Sequence, residues 1–314
     1  MEYPLISVII PLYNAEKTIS QTINSVLDQT YPNIEVIVID DFSSDNSFQI
    51  VSQLNSPKIH LFKNKKKGAC AARNYGFECS SGDFIQYLDA DDIISPSKIE
   101  LQLELIINKK EEIASCGWVK FINEYKHLKT KSQKINKSYD KPYEWLIDAW
   151  KGNEMGLISI WLTPRVVIEQ AGEWNEDLLV NQDGEFFCRV LLNVKRINYC
   201  NNSIAYYRMG NPNSISKSKK SIQKAQSHLA SFNLYEKHVN HLLKDYRLRK
   251  ALGYLYLKFI YHYYNISNDI IDQAWSNFYN LNVGKPWNIG GNTLGLLTKF
   301  VGFKKALKIK KYLS

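Results

Sequence analysis

The chain has 314 residues, 45% of them apolar and 13% aromatic, with 40 basic against 31 acidic residues and a formal charge of +9. That length and apolar content exclude a disordered protein and suit one large domain with a smaller one attached. Five cysteines, Cys70, Cys79, Cys116, Cys188 and Cys200, odd in number and without a C-x-x-C pair, argue against a disulfide framework or a zinc site and read as reduced thiols.

The first residues enter a strand-like pattern with no basic segment and apolar stretch ahead of a cleavage site. No apolar run reaches about 18 residues, so the expectation is a cytoplasmic protein that spans no membrane. The runs "ISVII" (6–10) and "IEVIVI" (34–39) are almost continuously β-branched, as in parallel strands covered on both faces. Between them Asn14 is placed to cap a helix with the apolar face Ile19, Ile23, Val26 and Leu27. A helix with Phe48, Val51 and Leu54, a strand at "IHLF", a helical segment from Gly68 and a strand at "DFIQYL" follow. This βαβαβαβ order predicts a right-handed, mostly parallel sheet with its ligand beyond the carboxyl ends of the strands.

Ser95 and Pro96 mark the start of a helix with the body "KIELQLELII", and "ASCGWVKFI" reads as a strand. Residues 126–141, lysine-rich and weakly patterned, read as a loop. Residues 143–210 return to mixed α and β, and beyond 217 the chain is helical, with "YLYLKFIYHYY" as a core helix. Seven lysines and no acidic residue follow Asp272, so the rest of the chain is close to charge balance. In "LLTKFVGFKKALKIKKYLS" the residues Leu296, Phe300, Phe303 and Leu307 recur at helical spacing among lysines, a basic amphipathic pattern. Two readings stand: a helix lying on an anionic membrane surface, or a packed terminal helix.

Chemistry concentrates at "FIQYLDADDII" (84–94), where Asp89, Asp91 and Asp92 crowd the end of an apolar strand. Their mutual repulsion is costly unless a cation or backbone donors offset it, so a divalent metal site stands against a plain solvated turn or helix cap. The first strand ends in "PLYNAEKT", without a glycine, which excludes both the dinucleotide fingerprint and the P-loop. The second ends in "DDFSSD". A carboxylate there can accept a ring N–H of uracil or guanine, and a tyrosine can stack on the base, tasks that suit Asp41 and Tyr13.

The run "PLISVIIPLYNAEKTISQTINSVLDQTYPNIEVIVIDDFSSDNS", followed by "GACAARNYGFECSSGDFIQYLDADD", resembles the nucleotide-binding half of the inverting, GT-A-type glycosyltransferases of family 2, almost without a gap from residue 5 to about 100. The resemblance implies a GT-A fold: an α/β, Rossmann-like, mostly parallel sheet flanked by helices, here with a C-terminal helical extension. It implies a GT-A domain over 1–215, with nucleotide-sugar binding in 1–100 and the acceptor side in 110–215, and a helical region with a basic tail over 216–314. By the same resemblance Pro11, Tyr13 and Asp41 grip the nucleoside, Arg73 lies on the nucleotide side, and Asp89-Ala90-Asp91 stands at the family's D-x-D motif. That motif holds Mn²⁺ or Mg²⁺ against the donor's two phosphates, with Asp91 as a direct ligand and Asp89 as a ligand or a contact to ribose or metal-bound water. A hard cation prefers such oxygens and offsets charge on a departing diphosphate.

In "NQDGEFFCRVLL" the resemblance places the catalytic base at Asp183, with Gln182 where glutamate is commoner and Glu185 as the rival base. "AYYRMGNPNSIS" resembles the strand and loop that follow. The Q-x-x-R-W motif of processive synthases is absent, which fits single addition. The implied function is inverting transfer of one sugar from a nucleotide-sugar, by family habit a UDP-sugar, to a lipopolysaccharide, capsule or lipid-linked glycan. The enzyme would sit at the inner face of the cell membrane. The alternatives are a nucleotidyltransferase, which calls for a basic, glycine-rich loop near the first strand, and a non-enzymatic membrane- or RNA-binding protein, which has no need of the acids at 41, 89, 91 and 183.

Overall fold

The computed structural model describes residues 4–313 apart from 153, 155, 211–218, 288, 290 and 291. The elements run β1 (Ile6–Leu12), α1 (Ile19–Leu27), β2 (Ile34–Asp40), α2 (Ser47–Ser52), β3 (Ile59–Lys63), α3 (Ala69–Cys79) and β4 (Phe84–Tyr87). There follow β5 (Ile93–Ile94), α4 (Lys98–Ile106), β6 (Glu112–Phe121), α5 (Tyr143–Gly152), β7 (Thr163–Pro164), α6 (Arg165–Ala171), α7 (Gln182–Leu192) and β8 (Arg196–Arg208). The chain closes with α8 (Ile222–His238), α9 (Tyr246–Tyr263), α10 (Asn268–Asn280), α11 (Asn292–Val301) and α12 (Phe303–Leu313).

One sheet has the order β3-β2-β1-β4-β7, parallel except where β7 runs against β4. Apolar runs without alternation need cover on both faces. On one face Val8, Ile10, Val36 and Val38 share a core with Ile23 of α1 and Leu103 of α4. On the other, α3 seats so closely that a Cβ on Gly76 would lie 2.4 Å from Ile9 Cγ2. A second sheet has the order β5-β8-β6, with β6 parallel and β5 antiparallel to β8.

Strand order reverses between β1 and β4, where open α/β sheets take ligands. Pro11 helps to explain why the two strands part. The β1–β4 rungs end at Ile9 opposite Tyr87. Ile9 accepts from Leu88 N on the β4 side at 3.0 Å, and Leu12 accepts from Asp41 N on the β2 side at 2.7 Å. Backbone alternation therefore turns the nitrogen of Pro11 toward β4, just past the last rung, where its missing donor costs nothing.

The chain forms two compact units. One comprises Met1–Tyr143, Met155–Glu176 and Arg189–Pro212 and carries both sheets; the other comprises Glu144–Glu154, Asp177–Cys188 and Asn213–Ser314 and is helical. Tyr256, Leu257 and Ile260 of "YLYLKFIYHYY" are buried, so that segment is a core helix.

Two expectations are corrected. Asn14 does not cap α1, whose N-cap is Thr18; its backbone is left-handed (φ 47°) and its Oδ1 accepts from Ser44 N at 2.8 Å. The tail is two helices, because Gly302 (φ 77°) breaks it. The break divides the expected apolar face: Phe303 and Leu307 are buried, while Leu296 and Phe300 are exposed. Residues 126–141 are a loop, as expected, with one isolated bridge from Tyr139 to Ile197. The loop of "AYYRMGNPNSIS" from 211 onward lies outside the described residues.

Candidate active site

In the sheet-bearing unit, the ends of β1, β2 and β4 present Tyr13, Asp41 and the acid cluster. Asp41 is buried, and its carboxylate accepts from Gly68 N at 2.8 and 3.0 Å and from Asn64 Nδ2 at 2.8 Å. A carboxylate has about four acceptor positions, so this leaves room for one further donor at Oδ2. These bonds also fix the loop entering α3, where Gly68 holds φ 138°, a backbone shape reserved for glycine.

From α3, Arg73 donates to Asp89 Oδ1 at 2.8 Å, and its guanidinium lies 4.7 Å from the Trp174 ring centroid. Asn74 locks Trp174 in place, accepting from its backbone N at 2.8 Å and donating to its carbonyl at 3.0 Å. Sequence reasoning missed Trp174; an aromatic in a loop about a hundred residues downstream gives no local signal.

The 89–92 segment is held by its backbone. Thr18 and Thr22 hydroxyls both donate to the Ala90 carbonyl at 3.0 Å, Thr22 to that of Asp92 at 2.8 Å, and Arg208 Nε to that of Asp91 at 2.7 Å. The side chains then divide. Asp92 is buried and accepts from Arg208 N at 3.0 Å, so it ties this segment to β8 rather than merely capping a turn. Burial, and then the charges of Asp89 and Asp91, push its carboxyl well above the usual range. Asp89 and Asp91 stay partly exposed.

Would this site fit a divalent ion? The residues are hard oxygen donors, and Asp89 and Asp91 both keep partly exposed carboxylates two residues apart at the end of β4. Among the described residues no group of three or more His, Cys, Asp or Glu could hold a metal. Two carboxylates completed by phosphate and water oxygens is the arrangement Mg²⁺ and similar ions favour, so the residues fit.

In the helical unit, α7 begins at Gln182, just after Asn181 in the left-handed region (φ 60°). Asn181 Nδ2 donates to Ser231 Oγ and Tyr235 Oη, both at 2.8 Å, while Leu179 N and Val180 N donate to Ser227 Oγ at 2.8 and 3.2 Å. Gly184 is required, since a Cβ there would meet Tyr235 Oη at 2.1 Å. Asp183 is thus presented, partly exposed, on the first turn of α7, where unpaired N–H groups favour negative charge. Glu185 is only 2% exposed and is paired through Oε1 with His238 Nε2 at 2.8 Å. His238 went unrecognised in the sequence because it lies at the far end of α8.

The sequence matches the profile described as Glycosyl transferase family 2 over residues 7–158. It is 33% identical over 243 residues to an uncharacterized glycosyltransferase of Haemophilus influenzae, spanning 76% of this chain and 90% of that protein. It is 46% identical over 108 residues to the Escherichia coli UDP-Glc:alpha-D-GlcNAc-diphosphoundecaprenol beta-1,3-glucosyltransferase WfgD, but over only 34% of this chain and 43% of WfgD. Residues 1–349 of Staphylococcus aureus TarS, solved in complex with UDP-GlcNAc, superpose with a TM-score of 0.69 at 18% identity, covering 88% of this chain and 81% of that one, a likeness of GT-A fold. With a third of the aligned residues identical along nine-tenths of a whole relative, the chain belongs to glycosyl transferase family 2.

Proposed function

We propose that the protein is an inverting, metal-assisted glycosyltransferase that moves one sugar from a UDP-sugar to a surface-glycan acceptor, such as a lipid-linked oligosaccharide. The observation that carries this reading is the pair Asp89 and Asp91, outward on a segment whose carbonyls are all tied down, at the end of β4 where strand order reverses. WfgD supports donor and acceptor class, since its name gives a UDP-Glc donor, a diphosphoundecaprenol-linked acceptor and a β-linked product.

In this reading Tyr13 stacks on the base, Asp41 accepts its ring N–H through the open position on Oδ2, and Pro11 shapes the floor of the crevice. Arg73 keeps Asp89 oriented. Asp91, with Asp89, holds Mn²⁺ or Mg²⁺, which when bound offsets the charge growing on the diphosphate leaving group. Asp183 takes the proton of the acceptor hydroxyl; the buried pairing of Glu185 with His238 favours Asp183 for that role. The test is a screen of UDP-, GDP- and dTDP-sugars for Mn²⁺-dependent nucleotide release. UDP release that rises with a lipid-diphosphate sugar acceptor is the expected result, and silence with every donor defeats the reading.

The tail suggests where this happens. No helix of the described residues is long and apolar enough to cross a membrane. On α11, however, Phe300 is 80% and Leu296 59% exposed, one helical turn apart, with Lys299, Lys304 and Lys305 exposed nearby. An anionic membrane surface would accept both the apolar side chains and the charges. Deleting the tail would confound the test, because Phe303 packs 6.2 Å from Trp275 inside the unit. Replacing both Leu296 and Phe300 by Asp is instead expected to leave the fold intact and weaken co-sedimentation with anionic vesicles by at least about tenfold, given about 1.5–3 kcal/mol per large apolar side chain buried. Equal co-sedimentation would leave α11 without a membrane role.

A further inference from the structure

Phe42 has no part in the assignments above, yet its geometry is unusual. Its φ is 61°, in the left-handed region, where a bulky side chain crowds its own backbone. It is also 53% exposed, and no aromatic or cationic contact is recorded for its ring among the described residues. Burial therefore does not explain why an aromatic is kept at a costly backbone position.

The surrounding loops hold it there. Leu12 pairs with Asp40 and accepts from Asp41 N, so the loops that carry Tyr13 and Phe42 leave the ends of neighbouring paired strands. Asn14 is left-handed too, which asparagine tolerates. The two loops are lashed together: Asn14 N donates to Ser43 Oγ at 3.1 Å, Ala15 N to Ser47 Oγ at 2.8 Å, Glu16 N to Asp45 Oδ2 at 3.0 Å, and Asn46 N to Glu16 Oε2 at 3.1 Å. Strain that so many bonds maintain is the kind found at ligand contacts. Tyr13, on the neighbouring loop, is 49% exposed, with Lys67 Nζ 5.5 Å from its ring centroid.

We propose that Phe42 is a second aromatic contact for the donor's nucleobase, beside Tyr13, with the open acceptor position of Asp41 reading the base edge. This rests on the nucleotide-donor reading above. The ligand class is a nucleobase with a ring N–H next to a carbonyl, as in uracil, thymine or guanine.

The test is calorimetry of UDP with Mn²⁺ on the full chain and on Phe42→Gly and Phe42→Tyr, alongside thermal melting. Phe42→Gly relieves the left-handed strain and is expected to melt higher while binding UDP about tenfold more weakly. Phe42→Tyr is expected to keep the parent affinity, and Mn²⁺ with inorganic pyrophosphate is expected to bind all three proteins alike, which places the loss on the base. UDP affinity within twofold of the parent in Phe42→Gly overturns the proposal, as does a lower melting temperature, which would make Phe42 a structural residue. A parent chain that binds none of UDP, GDP or dTDP would bring down the donor reading itself, and this inference with it.

Discussion

An Asp183→Asn enzyme is expected to bind UDP and Mn²⁺ as the parent does and to transfer sugar at least about 100-fold more slowly. An acceptor hydroxyl is a poor nucleophile and needs a carboxylate to take its proton as it attacks the anomeric carbon opposite the diphosphate. The amide keeps the shape of Asp183 and removes that acceptor of the proton. Because asparagine matches the size of Asp183 and Asn181 ties the turn to Ser231 and Tyr235, the substitution should leave the start of α7 in place. Initial rates and calorimetry on the same protein separate the two effects. Single displacement further requires an α-linked donor to give a β-linked product, which the anomeric coupling in an NMR spectrum reports. Near-normal transfer by the Asn variant would move the role to Glu185, even though that side chain is buried against His238. An α-linked product from an α-linked donor would defeat the inverting mechanism.

Asp91→Ala is expected to cost a comparable factor, at least about 100-fold in transfer, and also to abolish the Mn²⁺ dependence of UDP binding. The second readout sets it apart from Asp183→Asn. The Asp91 carbonyl receives Arg208 Nε, and alanine keeps that carbonyl, so the segment should hold its shape while losing a carboxylate. Asp89 is a less clean target because its loss would also release Arg73 from its 2.8 Å partner. Calorimetry giving the parent equal UDP affinity in EDTA and in Mn²⁺ would remove the metal from the account.

Strands β1 and β2 were legible because their burial on both faces wrote itself as nearly continuous β-branched runs, whereas the partly buried β3 and the four-residue β4 were legible from their place in the βαβ alternation. Strands β5 and β7 left no trace, since two residues cannot show a period. Lys98 looks like an ordinary polar position of a surface helix, but it is wholly buried, donating to Gln86 Oε1 and Gln102 Oε1 at 2.5 Å, and burial lowers its pKa to about 8. Nothing local announces partners supplied by other elements. The same limit hid Trp174 behind Arg73 and His238 behind Glu185. In the tail, the period of Leu296, Phe300, Phe303 and Leu307 is real in sequence, but a single left-handed glycine rotates its halves apart.

Pro11 bears on the kinetics of ligand capture. A crevice that opened only when a ligand arrived would have to break rungs between two strands, and association would then wait on a rare fluctuation of the sheet. Here the β1–β4 ladder already ends at Ile9 and Tyr87, and the next residue of β1 facing β4 has no hydrogen to offer. The opening is part of the covalent sequence. If the donor enters there as proposed, it need break no backbone bond between β1 and β4, so its association would be set by encounter and by the loops, and the strand amides would keep their protection from solvent exchange.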